Sequence, residues 1–162
     1  DEEEDADYEV DFYLPSVSEP VLVENVFYDY NESTLREESY PSLDDLATLL
    51  IDNPYTVIEL ASHTDRIGSQ SFNLQLSKRR AESVCDYLIS KGIESERLVP
   101  VGYGKEKPKA VDNNIAKSTG WEVGQELNEE FINQLTEEQK KYADQINRRT
   151  EFKVLTTTWG IR

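Results

Sequence analysis

Basic residues are scarce in this 162-residue chain: 17 lysines and arginines stand against 33 aspartates and glutamates, a formal charge of −16. Such a molecule repels a nucleic-acid backbone or an anionic lipid surface over most of its area, so neither is an expected partner. Cysteine occurs once, at Cys85, which excludes an intramolecular disulfide and leaves the redox compartment open. Histidine also occurs once, so the sequence is poor in zinc ligands, and no metal or other cofactor is expected. No apolar run approaches the roughly 20 residues that a membrane-spanning helix needs, and no basic stretch followed by an apolar one opens the chain. Methionine is missing, and position 1 is Asp1. The expectation is a processed or excised segment that does not itself enter a membrane, with any signal peptide, lipid anchor or partner domain outside it.

The length fits one domain with a single core, able to bury roughly two thirds of the surface that its unfolded chain exposes. The opening run Asp1-Glu2-Glu3-Glu4-Asp5-Ala6-Asp7 repels itself and has no apolar partners. Residues 1–20 are therefore expected to be an acidic linker and extension. Tyr8, Val10, Phe12 and Leu14 alternate with polar residues like a short strand, which Pro15 and Pro20 interrupt.

From residue 21 onward the pattern is that of a folded domain. Residues 21–28 are β-branched and aromatic, and the turn-prone Asp29-Tyr30-Asn31-Glu32-Ser33 follows, so a first sheet strand is expected there. Leu43, Leu46, Leu49 and Leu50 recur at helical spacing over 42–51, with Ser42 placed as a cap and Pro54 beyond the end. A strand over 56–61, a polar loop over 62–69, a helix over 71–90 ending at Gly92, and strands over 98–103 and 152–157 complete the pattern. A helical pattern carrying Leu127, Phe131 and Leu135 lies over 126–146. Strands alternating with helices imply a mixed α/β sheet covered by helices on one face.

The chemistry concentrates between His63 and Arg80. At about 100° per residue, positions seven apart turn about 700°, so Asn73 and Arg80 share one helix face within about 20°. Leu74, Ala81, Cys85 and Leu88 form a neighbouring stripe that would face the sheet, which makes Cys85 a core residue. The strand before this helix ends at the same sheet edge and delivers Thr64 and Asp65 in a loop. A carboxylate and a guanidinium flanking one cleft suit a zwitterionic amino-acid centre: Asp65 accepts from its ammonium, and Arg80 presents a planar fork to its carboxylate. By residue type alone, Thr64 and Asp65 read as turn or capping residues and Arg80 as a solvated helix residue.

The run Ala61-Ser62-His63-Thr64-Asp65-Arg66-Ile67-Gly68, followed by Asn73-Leu74-Gln75-Leu76-Ser77-Lys78-Arg79-Arg80-Ala81, resembles the signature of the OmpA C-terminal family, "GHTD..G....N..LS..RA". Val26-Phe27-Tyr28-Asp29-Tyr30-Asn31 is similar to that family's first strand and loop. The segment 98–108 resembles its "RL...GYGe..P", and Asn147-Arg148-Arg149-Thr150-Glu151 its "NRRvE" ending. The resemblance implies a β-α-β-α-β-β core with a mixed four-stranded sheet. It also implies a non-catalytic domain that binds the meso-diaminopimelate of a peptidoglycan stem and anchors an envelope protein to the cell wall, in the periplasm beneath the outer membrane. Its binding positions map to Asn31, Thr64, Asp65, Asn73, Arg80 and Arg148. The domain would span 21–162.

Two departures stand out. Ser62 replaces the usual glycine, and 112–146 is longer than the usual connection, a helical insertion before the last strand that carries Trp121 and Phe131. The insertion is placed to reshape the site beside Arg148 or to bind another envelope protein, the alternative function. Trp121, Phe131 and Tyr142 read first as its own small core. Asp112-Asn113-Asn114 is no EF-hand, because Lys117 and Val123 stand where glycine and glutamate are needed. His63 next to Asp65 is the sole hint of a wall hydrolase, and no serine or cysteine nucleophile is placed beside it by sequence.

Overall fold

A computed structural model describes residues 19–161. The alternating segment from Tyr8 to Leu14, and the acidic linker up to residue 18, lie outside the described residues.

The first strand, β1 (Pro20–Val23), is shorter than the apolar run suggests. Asn25 adopts φ +59°, a left-handed conformation that asparagine tolerates better than other non-glycine residues, and the chain turns out of the sheet there. Phe27 and Tyr28 belong instead to a tight loop, in which Arg36 N–H donates to the Phe27 carbonyl (2.9 Å) and Asp29 N–H to that of Thr34 (3.2 Å).

Helix α1 (Tyr40–Asp52) begins two residues before Ser42, with Pro41 in its first turn, where proline's missing N–H costs nothing. Ser42 is thus not the cap. Ser39 precedes the helix, and its hydroxyl accepts from Phe27 N–H (2.7 Å) and donates to the Phe27 carbonyl (2.9 Å), pinning the loop to the helix start. Leu43, Leu46 and Leu50 are fully buried, each contributing about 1.5–3 kcal/mol of transfer free energy. The helix stops at Asn53, before Pro54, and the buried Arg97 donates to the carbonyls of Leu50 (2.6 Å), Asn53 (2.8 Å) and Thr56 (2.9 Å) at that end.

Strand β2 (Val57–His63) runs two residues further than its apolar stretch because it is paired on both sides, parallel to β3 (Leu98–Gly104) and antiparallel to β4 (Arg149–Thr156). The sheet order is β1-β4-β2-β3, with β1 antiparallel to β4. Helix α2 (Gln70–Ser90) is capped by Ser69, whose hydroxyl accepts from Phe72 N–H (3.2 Å). It lies directly on β3: a Cβ at Gly102 would sit 2.2 Å from the Lys78 backbone nitrogen. Between α1, α2 and the sheet lies one core, built from Leu43, Leu46, Leu50, Val84, Cys85 and Leu88 against Ile58, Leu60, Leu98, Phe152 and Val154.

The segment over 112–146 holds three helices. In α3 (Asn113–Thr119) the Asp112 carboxylate accepts from Ile115 N–H (2.9 Å), an ordinary N-cap. The continuous helical pattern over 126–146 splits into α4 (Glu129–Ile132) and α5 (Glu137–Asn147). The break is chemical: Thr136 and Gln139 form a reciprocal capping box that starts a new helix. Val111, Leu127, Ile132 and Ala143 make a second small core, with Trp121 and Phe131 edge-to-face at 5.4 Å against it, while Tyr142 stays on its rim. Among the described residues no helix is long and apolar enough to cross a membrane.

Candidate functional site

The site forms where β2 ends. Thr64 N–H donates to the Gly104 carbonyl (2.9 Å) and so continues the pairing with β3, while its hydroxyl donates to the Asp65 carbonyl (3.0 Å). Asp65 then leaves the sheet. Its Oδ1 accepts from Ile67 N–H (2.9 Å), closing a turn of the kind short acidic side chains make, and Gly68 follows at φ +95°. Asn73, 3% exposed, donates from Nδ2 to the Ile67 carbonyl (2.9 Å). Asn73 is thus a staple that holds the Asp65 loop on the first turn of α2.

Asp65 Oδ2 accepts from Arg148 Nη1 at 2.6 Å. Arg148 caps the C-terminal end of α5 and precedes β4, so the insertion and the last strand together bring it to the loop. Sequence geometry pairs Asp65 with Arg80 instead. Arg80 stands over the Tyr28 ring, 4.7 Å from its centroid, and donates from Nε to the Glu32 carbonyl (2.9 Å). Burial first lowers the affinity of Arg80 for its proton and Arg148 lowers it further, while Tyr28 and Asp65 act in the opposite direction. Asn31 joins this group through the backbone: its φ of +55° shapes the loop that presents the Glu32 carbonyl to Arg80.

Tyr28 carries the underside of the site. Its hydroxyl lies 3.4 Å from both the Arg80 carbonyl and the Thr150 hydroxyl, tying α2 to β4. Sequence reasoning also missed Arg66 and Asp144, whose guanidinium and carboxylate approach to 3.2 Å. One signal was present: Asp144 lies one turn before the C-cap residue Arg148 at the end of the predicted helix.

His63 belongs to the sheet face away from the helices. It is 5% exposed, stacked on Tyr103 at 5.1 Å, with Nε2 3.9 Å from Glu151 and Nδ1 without a hydrogen-bond partner among the described residues. Burial first, then the Arg149 charge, push its pKa down to about 4, so it is neutral at pH 7.

A cavity of about 350 Å³ opens between the Asp65 loop and the insertion, with Thr64, Asp65 and Arg66 on one wall and Glu126, Leu127 and Asn128 on the other. A larger, more open depression of about 610 Å³, lined by Asp29, Leu35, Arg36, Glu37 and Glu38, contains none of the expected binding residues. The smaller cavity is the one that adjoins the charged cluster.

The model of the OmpA family matches residues 27–119. Outer membrane porin F of Pseudomonas aeruginosa is 38% identical over 105 residues, which cover 64% of this chain and 30% of the porin. The peptidoglycan-associated lipoprotein of Rhizobium meliloti is 36% identical over 93 residues, covering 57% of this chain and 53% of the lipoprotein. The chain thus spans about a third to a half of the length of these curated relatives. A solved structure of the cell wall anchor of the T6SS from Pseudomonas aeruginosa superposes with a TM-score of 0.54 at 20% identity, over 83% of this chain and 78% of that one, a likeness of fold.

Proposed function

The chain belongs to the OmpA family, and on that premise we propose that it binds peptidoglycan non-covalently, through the diaminopimelate of a peptide stem. By this grip it holds an envelope protein to the cell wall. The single observation that carries the reading is the contact of Asp65 with Arg148 at 2.6 Å, with Arg80 near enough for both charges to act on it. A diaminopimelate side chain ends in an ammonium and a carboxylate on one carbon. Asp65 accepts from the ammonium, while Arg148 and Arg80 offer planar forks to the carboxylate. Each charge-assisted contact is worth on the order of 1.5–3 kcal/mol when partly desolvated. Thr64 and Asn73 fix the loop, and Asn31 sets the backbone under Arg80.

The names of the relatives support this reading: one is a peptidoglycan-associated lipoprotein and another solved structure is a cell wall anchor. A site of so few contacts binds one stem weakly, and retention comes from avidity across the repeating wall. The role proposed is non-catalytic, and His63, the one hint of hydrolysis in the sequence, is buried and stacked on Tyr103. The setting is the periplasm, with attachment to the outer membrane through parts of the protein outside this segment. Calorimetric titration with a diaminopimelate-containing muropeptide tests the proposal. Binding that weakens at least tenfold in Asp65→Ala and Arg80→Ala is the expected result, and unchanged affinity in both variants overturns it.

A second reading adds a protein partner at the insertion, and rests on the exposure there of Val123 (61%) and Tyr142 (41%). Val123→Asp with Tyr142→Ala would then abolish capture of an envelope protein and leave muropeptide binding intact. Equal capture by the variant and the wild type removes this reading.

A further inference from the structure

Arg66 follows Asp65 directly in the chain, so its guanidinium is tethered within reach of the carboxylate that the proposed function assigns to the ligand. A carboxylate offers about four lone-pair sites. Ile67 N–H takes one on Oδ1 and Arg148 Nη1 takes one on Oδ2, which leaves two for an incoming ammonium. The fork of Arg66 would fill both, and a cation on so short a tether competes at an effective concentration in the millimolar range.

The structure removes this competitor. Arg66 pairs with Asp144 on α5 and not with Asp65: Nη2 donates to Oδ2 (3.4 Å), while Nε lies 3.2 Å from Oδ1 without hydrogen-bond alignment. Asp144 is 5% exposed. Burial raises the pKa of its carboxyl, and Arg66 is the group that opposes this most. Four residues further along, at the C-cap of the same helix, Arg148 reaches Asp65. The last helix of the insertion therefore supplies the carboxylate that holds Arg66, and its C-cap residue supplies the guanidinium that shares Asp65.

We propose that Asp144 is a positioning residue for ligand binding: by holding Arg66 it keeps two acceptor sites of Asp65 free for the ammonium of the ligand. The inference rests on the proposed wall-binding function and gives the insertion a part in it. It also accounts for the 350 Å³ cavity beside Asp65, which Arg66 lines as a wall and would occupy if released.

The test uses Asp144→Asn, which keeps the shape of the side chain and removes its charge, and the double variant Arg66→Gln/Asp144→Asn. In titration with a diaminopimelate-containing muropeptide, Asp144→Asn is expected to bind roughly tenfold more weakly than wild type, and the double variant to recover wild-type affinity. A merely structural role for Asp144 predicts no recovery, because the double variant also lacks the ion pair. Failure of the double variant to recover overturns the proposal, as does undiminished binding by Asp144→Asn. A ligand-free crystal structure of Asp144→Asn reads the same idea without the muropeptide. Arg66 within 4 Å of the Asp65 carboxylate is expected, and Arg66 still docked at position 144 overturns the proposal. Absence of binding by the wild type would count against the wall-binding reading, whereas the crystal structure of the variant still decides where Arg66 goes.

Discussion

Asp65 and Arg148 stand 83 positions apart in the chain and meet at 2.6 Å, with the Arg148 side chain 47% exposed. The Asp65 side chain is 15% exposed, so the pair is partly shielded from solvent, and its contribution to folding is about 1 kcal/mol. The proposed function makes Arg148 a ligand-binding residue. Arg148→Ala is therefore expected to unfold in urea within about 1 kcal/mol of wild type while losing at least tenfold in muropeptide affinity. Equal losses in both measurements would assign Arg148 a structural role.

The contact between α2 and β3 has no spare room. A Cβ at Gly102 would stand 2.2 Å from the Lys78 nitrogen, 2.6 Å from its Cα and 2.6 Å from the Ser77 hydroxyl, and backbone cannot step aside as a flexible side chain can. Gly102→Ala is expected to cost about 1–3 kcal/mol or more, as overpacked cores do. Since α2 also carries Asn73 and Arg80, muropeptide binding should weaken with it. Chemical denaturation checks the first effect, and a stability equal to wild type would mean that the helix can lift without penalty.

Cys85 is 4% exposed on the core side of α2, and burial, then Asp86 and Glu82, push its thiol up to about 12. The reactive thiolate is therefore absent at neutral pH. An aromatic disulfide reagent should leave the native protein unlabelled at pH 8 and label it promptly in denaturant. Rapid labelling without denaturant would place the thiol at the surface.

Much of this architecture is legible in the sequence because it is local. The helix over 71–90 is found at Gln70–Ser90, and the strands over 56–61 and 98–103 each gain one or two residues, since apolar periodicity and end signals lie within the segment itself. What depends on contacts elsewhere was not legible. Nothing near Ser42 says that Ser39 would be claimed by Phe27, and nothing in the apolar run over 21–28 says that Asn25 would turn it aside. The helical stripe over 126–146 carries its own break in Thr136 and Gln139, a local capping signal that the apolar periodicity masks. At the site, the loop and α2 were readable from the motif, whereas the partner of Asp65 was not. Helical spacing puts Asn73 and Arg80 on one face, but only the fold shows that Arg80 bonds to Glu32 and Arg148 to Asp65.

His63 carries the pH dependence that the fold makes most distinctive. Its ordinary pKa is near 6.5, and burial, with Arg149 next, brings it down to about 4, while Glu151 pulls the other way. Between these values the unfolded chain binds the proton and the folded one does not, so stability rises with pH across that window and falls as acid is added. The full contribution is present above about pH 6.5 and is lost as the pH falls towards 4, to a total on the order of 3 kcal/mol for a shift of this size. His63→Gln cannot titrate. Its stability relative to wild type is therefore expected to improve steadily from pH 7 to pH 4, measured by urea unfolding at each pH. Parallel curves for the two proteins would mean that His63 gains its proton in the folded state as readily as in the unfolded one, and that a charged imidazole is tolerated beneath Tyr103 and beside Arg149.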